Sequence, residues 1–401
     1  MGGKNDPSRN INLKGDFVLS PGTKKEKSPR VLAHSVASPC LVSSAVVNAD
    51  YTTGNPICQD NALEMCNSDY TESAEIEKKF TPKRKCSELL ASSYERIGFE
   101  SKASRVSDCG TFLEFAHEIS SDGIISEKGK LHNANFCKDR LCPLCSWRRS
   151  YKIFAQVSQI MELIGSEYDF LFLTLTVPSV PSELLSETLS RMIKAWDCLC
   201  HRKAFKSSVN GFFRALEITR NNDRHSKSFG LYHPHFHCVL AVSRSYFKDK
   251  YISRDEWLSL WQSCYKDESI TQVDIRRARD KFADEAETAV NQLSSAVAEI
   301  AKYAVKSSDY IFADNEALTD DIVRTLAEAL RGRRLTAFGG CFKEAFEKLK
   351  LDDAEDGDLV HINDELNPAL AWLIVRYGWS AGAYKMTDSF VRQPESEVKT
   401  D

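Results

Sequence analysis

GLYHPHFHCVLAV, Gly230 to Val242, sets His233, His235 and His237 at alternate positions ahead of an apolar run. Side chains of a β-strand alternate between its faces, so the three imidazoles share one face. Phe236, Cys238, Leu240 and Val242 take the other face and predict a core. Pro234 brings no N–H to a ladder and fits only near a strand start or on an edge. A single histidine here would read as a surface or hydrogen-bonded group. Three on one face of an apolar strand predict a metal or catalytic site, because neutral imidazole binds divalent transition metals.

The strand has a partner. GFFRALEITR, Gly211 to Arg220, reads as a second strand, and NNDRHSKSFG as the polar loop that turns it back. The two then form an antiparallel hairpin. Glu217 lies on the face of Phe213 and Ala215. A carboxylate inside an apolar strand is costly unless it is paired or bound to a metal. An edge position in water is the alternative. Glu217, His235 and His237 would leave positions open on an ion, as catalysis requires. His233 fits a further ligand, a group behind the ligands or a phosphate contact.

Outward from the hairpin, FLFLTLTV (Phe170–Val177) reads as a strand halted by Pro178. WRRSYKIFAQVSQIMELI reads as a helix ending near Gly165. SELLSETLSRMIKAWDCLCHR reads as another, with Ser182 as N-cap and Leu185, Leu189, Met192, Ile193 and Trp196 at helical spacing. SRDEWLSLWQSCY follows, capped by Ser253, then a short extended TQVDIRRAR. AVNQLSSAVAEIAKYAVK (Ala289–Lys306) and TDDIVRTLAEALRG, closed by Gly332, are further helices. The last part, through WLIVRYGWSAGAYKM, is mixed. A hairpin with separate helices predicts an α+β fold with a mainly antiparallel sheet.

In AEIAKYAVK, Val297, Ile300, Ala301 and Ala304 form a narrow apolar stripe, and Glu299, Tyr303 and Lys306 share another face. A phenol is a weak nucleophile until a metal, cation or base assists it. Glu299 could take a proton from water or a sugar hydroxyl. Spacing alone fits a solvated helix face equally well.

FCKDRLCPLCSWRR holds Cys137, Cys142 and Cys145 in a C-x4-C-x2-C knuckle suited to tetrahedral zinc. Cys109 is the preferred fourth ligand and His132 the runner-up; free buried thiols are the alternative. A closed structural zinc would order a basic surface of Arg140, Arg148 and Arg149. With Trp147, these suit single-stranded bases and phosphates.

The chain has 401 residues, 42% hydrophobic and 27% charged, an ordinary globular composition. No apolar run reaches the length of a membrane span, and the N-terminus has no secretory signal. The 13 cysteines therefore read as reduced thiols in a cytoplasmic protein. A net charge of −4 argues mildly against a polyanion partner. Locally, however, Lys128, Lys130, Lys138, Arg140, Arg148, Arg149 and Lys152 face only Glu127 and Asp139 between positions 127 and 152. Residues 1–94, polar and sparse in aromatics, read as a disordered extension. Residues 95–150 read as a cysteine-rich zinc-binding segment, 151–312 as a catalytic core and 313–401 as a helical and mixed C-terminal region.

In their order, FCKDRLCPLC, FLTLTV, ALEITRN, HPHFH and EIAKYAVK resemble the rolling-circle plasmid replication initiators of the HUH endonuclease superfamily, where U is a hydrophobic residue. The resemblance runs from about Cys109 to Tyr377. It implies a five-stranded antiparallel sheet flanked by helices, with the histidine strand central. It implies that His235 and His237 hold magnesium or manganese against a scissile phosphate. Tyr303 would attack the phosphorus, form a 5′-phosphotyrosine bond and release a 3′-hydroxyl primer. Glu299 would activate water for the terminating cleavage, and Lys306 would screen phosphate charge. Tyr310 is too far along to be a second catalytic tyrosine. The implied partners are single-stranded or supercoiled origin DNA, a host helicase and a DNA polymerase, with no membrane. Three other readings compete. They are a zinc-stabilised DNA-binding regulator without catalysis, a transposase or relaxase with the same chemistry, and a metallohydrolase using the three histidines on a small substrate.

Overall fold

The computed structural model of the protein describes residues 69–277, 304–362 and 366–394. The chain divides into units 1–45 and 46–401, and every described residue belongs to the second. In chain order come α1 (Asp69–Lys79), α2 (Thr81–Arg96), α3 (Glu100–Asp108), β1 (Phe112–Ile119), β2 (Lys130–Ala134), α4 (Pro143–Ile164), β3 (Tyr168–Thr176), α5 (Ser182–His201) and α6 (Lys203–Ser208). There follow β4 (Val209–Arg220), β5 (Tyr232–Ser243), α7 (Tyr246–Asp249), α8 (Arg254–Tyr265), β6 (Val273–Arg277), α9 (Glu316–Ala329), β7 (Thr336–Gly340), α10 (Cys341–Lys348), β8 (Ala371–Ser380) and β9 (Ala383–Arg392). The helix expected over 289–306 lies outside the described residues, save for its last three positions.

Five of the strands form one antiparallel sheet in the order β6-β3-β5-β4-β7, with the histidine strand β5 central. Both faces of β5 are apolar along much of its length, because helices cover both. Leu171, Leu173, Leu216, Phe236, Cys238 and Leu240 pack with Leu185, Leu189, Met192 and Trp196 of α5. Phe170, Phe213, Val239 and Ala241 pack with Ile153, Val157, Ile160 and Met161 of α4 and Phe342 of α10. Each such side chain contributes about 1.5–3 kcal/mol on burial, well above the few tenths that separate helix propensities. The sheet therefore orients α4 and α5, whatever their polar faces prefer. The β3 ladder ends at Thr176↔His235, so Pro234 takes no place from it. At the β4–β7 contact the backbones approach closely. Gly340 has φ +55°, and a Cβ there would meet the Asn210 carbonyl oxygen at 2.1 Å.

A second antiparallel sheet, β2-β1-β8-β9, joins residues far apart in sequence: β1 pairs with β8 from Phe112↔Gly378 to Ile119↔Ala371. The boundaries expected at 150 and 312 therefore cut across both sheets, since β8 completes the sheet of β1 and β7 that of β4. The boundary at 94 also moves. From Asp69 the chain is helical, and Leu90 and Tyr94 of α2 are fully buried. Small residues such as Ala91, Ser87 and Ser93 let α2 pack closely, which a polar composition conceals. Ser253 forms the expected cap of α8, as a full capping box with Glu256. Ser182 does not cap α5: Pro181 holds the N-cap position and the Ser182 hydroxyl donates to Glu183. Among the described residues, no helix is long and apolar enough to cross a membrane.

Candidate active site and metal centres

Register builds the first centre. On β4 and β5, Glu217 lies directly opposite His235, and Ala215 opposite His237. Cross-strand partners share a face, so Glu217 meets both imidazoles. Glu217 Oε2 is 3.1 Å from His235 Nε2 and 2.8 Å from His237 Nε2. The carboxylate is 4% exposed. Burial pushes its pKa up, but hydrogen bonds from His235 and His237, with their charge, outweigh this and hold it far below the ordinary range.

The other ring nitrogens are engaged as well. His235 Nδ1 donates to the His233 carbonyl at 3.2 Å, and His237 Nδ1 lies 3.3 Å from Thr174 Oγ1. Both Nε2 atoms are thus aimed at Glu217 while Nδ1 is held from behind, an arrangement typical of ligating histidines. These three donors form a group that could hold a metal ion. His233 is not part of it. Its ring is 5.5 Å from that of His235, and burial, then the neighbouring His235, lowers its pKa. Thr174 was not singled out, although two threonines at alternate positions in FLTLT were a readable signal.

Lys306 is exposed. Tyr303 and Glu299 lie outside the described residues. Their neighbour Ala304 accepts a hydrogen bond at 2.7 Å from the amide of Ile218, the residue after Glu217. Asp309, unremarked in the sequence, is half-buried nearby. Burial raises its carboxyl, against the Ser308 hydroxyl, the Lys306 charge and the Arg220 amide, and the Glu217 charge adds to the rise. Tyr310 is buried, and its hydroxyl donates to the Leu141 carbonyl.

The second centre gathers Cys109, Cys137, Cys142 and Cys145, whose sulfurs all lie within 4.8 Å of one another. Cys109 lies 3.5 Å from both Cys145 and Cys142, and Cys137 lies 3.6 Å from Cys145. A disulfide needs about 2.05 Å. Four sulfurs at about 2.3 Å from one tetrahedral zinc stand roughly 3.8 Å apart. The spacing fits the second geometry. Backbone amides of Cys137, Lys138 and Asp139 also point at sulfur. Gly110, at φ +68°, turns the chain where a Cβ would strike Leu144. His132 is not in the group; its ring lies against His361.

The arginines expected to face DNA are placed otherwise. Arg148 is buried and donates to the carbonyls of Leu359 and Val360; burial lowers its pKa to about 10. Arg149 is buried and donates to the carbonyls of Lys138 and Glu355. Arg140 bonds the Leu330 carbonyl and Glu355. A guanidinium has five donors, and here they tie the knuckle to residues 330–360.

The sequence model of a family described as Replication protein matches residues 128–384. The Protein rep of Bacillus amyloliquefaciens is 40% identical over 301 residues, covering 71% of this chain and 85% of the relative. The Protein rep of Streptococcus pneumoniae serotype 2 is 36% identical over 283 residues, covering 69% and 81%. The Protein rep of Staphylococcus aureus is 36% identical over 245 residues, covering 60% and 98%. No solved structure matches the chain. The matched span contains Glu217, His235 and His237 and three of the four knuckle cysteines.

Proposed function

The chain belongs to the replication protein family, in keeping with its resemblance to rolling-circle plasmid replication initiators, and we propose that it nicks and rejoins origin DNA through Tyr303. The observation that carries this reading is the convergence of His235 and His237 Nε2 on Glu217. In this reading the five-stranded sheet is an HUH-type sheet. A divalent ion held by these residues supplies positive charge at the scissile phosphate. Magnesium prefers oxygen ligands, so two imidazoles beside one carboxylate favour manganese. Thr174 and the His233 carbonyl keep the rings oriented.

The chain's own groups do the rest. The Tyr303 oxygen bonds to phosphorus as the bond to the 3′-oxygen breaks, and the phenol proton ends on that oxygen. The products are a 5′-phosphotyrosine and a 3′-hydroxyl. Ala304, one residue on, is bonded to the strand of Glu217, which supports a nucleophile at this position. Glu299 takes the proton of a water for the closing cleavage, and Lys306 screens phosphate charge. The cysteine knuckle holds structural zinc. A 3′-hydroxyl on a displaced strand calls for a polymerase and a helicase, the partners implied by this role, in the cytoplasm where plasmid DNA lies.

The test mixes purified protein and manganese with DNA flanking its gene, both supercoiled and single-stranded. A covalent protein–DNA adduct on a denaturing gel is expected, and it should be absent with Tyr303→Phe. An adduct that persists in the variant moves the nucleophile elsewhere. Duplex binding with no adduct from any flanking strand favours the non-catalytic regulator.

A further inference from the structure

We propose that Tyr310 is a positioning residue that fastens the segment after Tyr303 to the cysteine knuckle, so that the knuckle sets where the nucleophile stands. Its catalytic consequence rests on the reading of Tyr303 as nucleophile; the tie itself does not.

The segment Ala304–Tyr310 is held at both ends. At its start it extends the edge of β4. Beyond the last β7 pair, the Leu216 amide donates to the Leu335 carbonyl at 2.8 Å, and the Ile218 amide donates to Ala304 at 2.7 Å. Val305 is buried behind this contact. The chain then makes a tight turn, with Asp309 N bonded to Lys306 O and Ile311 N to Ser307 O. At its end Tyr310 enters the main core at 1% exposure and gives its hydroxyl to Leu141.

Leu141 directly precedes Cys142. Its own amide donates to Asp139 at 2.9 Å, and Asp139 also accepts from Tyr94 and Lys102. The Leu141 carbonyl is therefore a fixed point of the knuckle, with little freedom to follow Tyr310. Ser146 and Ser150 of α4 line a small cavity with Ala215, Leu216 and Ala304, so knuckle and strand edge are neighbours at the other end too. A buried phenol needs an acceptor, and this one ties two regions about 170 residues apart, 141 and 310. Small misplacement of a reacting group costs rate steeply, so a short tether between a rigid metal knuckle and the nucleophile's neighbour bears on chemistry.

The test compares full-length wild type with Tyr310→Phe, which keeps the buried ring. Amide hydrogen exchange is read at Ile218 and Ile311, with Phe213 and Val239 as references in the same sheet. Ile218 and Ile311 should exchange about ten-fold faster in the variant, the size that one lost hydrogen bond produces, with the references unchanged. Stripping zinc from the wild type with a chelator should loosen the same two amides first. Adduct formation should slow about ten-fold while manganese affinity stays as in wild type. Wild-type exchange at Ile218 and Ile311 overturns the tie, whatever the activity. Uniformly faster exchange across the sheet also overturns it, since Tyr310 would then serve stability alone. Selective loosening together with an adduct that survives Tyr303→Phe would uphold the tie and overturn the nucleophile instead.

Discussion

The two donor clusters of this protein differ in what they leave unfilled. The knuckle brings four sulfurs together, three of them fully buried, with backbone amides turned onto the cluster. Four thiolates complete a tetrahedron, so nothing else can bind there. The β4–β5 centre brings three donors from two adjacent strands, with the rings held from behind. Three donors leave room on a divalent ion for a water or a phosphate oxygen. On the proposed reading, the soft, complete set serves folding and the mixed, incomplete set serves chemistry.

Paired substitutions put that contrast at most risk. Glu217→Ala should reduce manganese affinity by more than about 100-fold, because even groups behind the ligands are worth 10–100-fold. The fold should persist, since both imidazoles keep their hydrogen-bond partners behind them, the His233 carbonyl and Thr174. Cys142→Ser should do the reverse. Loss of roughly 4 kcal/mol at a buried ligand would lower the melting temperature by about 5–7 °C at this chain length. Manganese titration and thermal melts on both variants check this. If the two melt alike, the division between folding site and chemical site falls.

The contrast also explains what the sequence could reveal. The hairpin of β4 and β5 was legible because its strands are neighbours and their alternation is local, so facing Glu217 against His235 needed only the register. The knuckle was legible because three of its ligands lie within nine residues, Cys137 to Cys145. The second sheet was not. β1 carries Glu114 and His117 in its buried half, and their partners, Arg376 and Glu72, lie far away in the chain. A strand whose polar residues are satisfied from elsewhere shows no clean period of two. Arg148 and Arg149 misled for the same reason: they read as a basic surface, yet their acceptors are carbonyls of residues 138 and 355–360.

A smaller effect sharpens the picture of the incomplete site. The Thr174 hydroxyl meets His237 Nδ1, whereas the Thr176 hydroxyl on the same face donates to the Gln272 carbonyl. Thr174→Val should weaken manganese binding about ten-fold, and Thr176→Val should leave it unchanged. Both keep side-chain shape, so their melting temperatures should lie within about 3 °C of wild type. Equal loss of affinity in the two would mean that polarity of the face, and not orientation of one ring, supports the ion.

The smallest effect concerns charge. Near the open centre lies a second acid, Asp309, whose carboxyl is raised by burial, with the Glu217 charge adding to the rise. For such a group the folded state holds its proton more tightly than the unfolded chain. Its contribution is therefore most favourable below the unfolded value of about 3.8 and is lost as pH rises through the higher folded value. At pH 7 the ionised carboxylate opposes folding. Asp309→Asn keeps an oxygen for the Arg220 amide and removes the charge. In protein without manganese it should raise the melting temperature by about 1–3 °C at pH 7, and the gain should shrink towards pH 4. Manganese bound at Glu217 should reduce the gain, because the cation offsets the repulsion between the two acids. A gain that is equal at both pH values, and indifferent to manganese, would assign it to packing and separate Asp309 electrically from the centre.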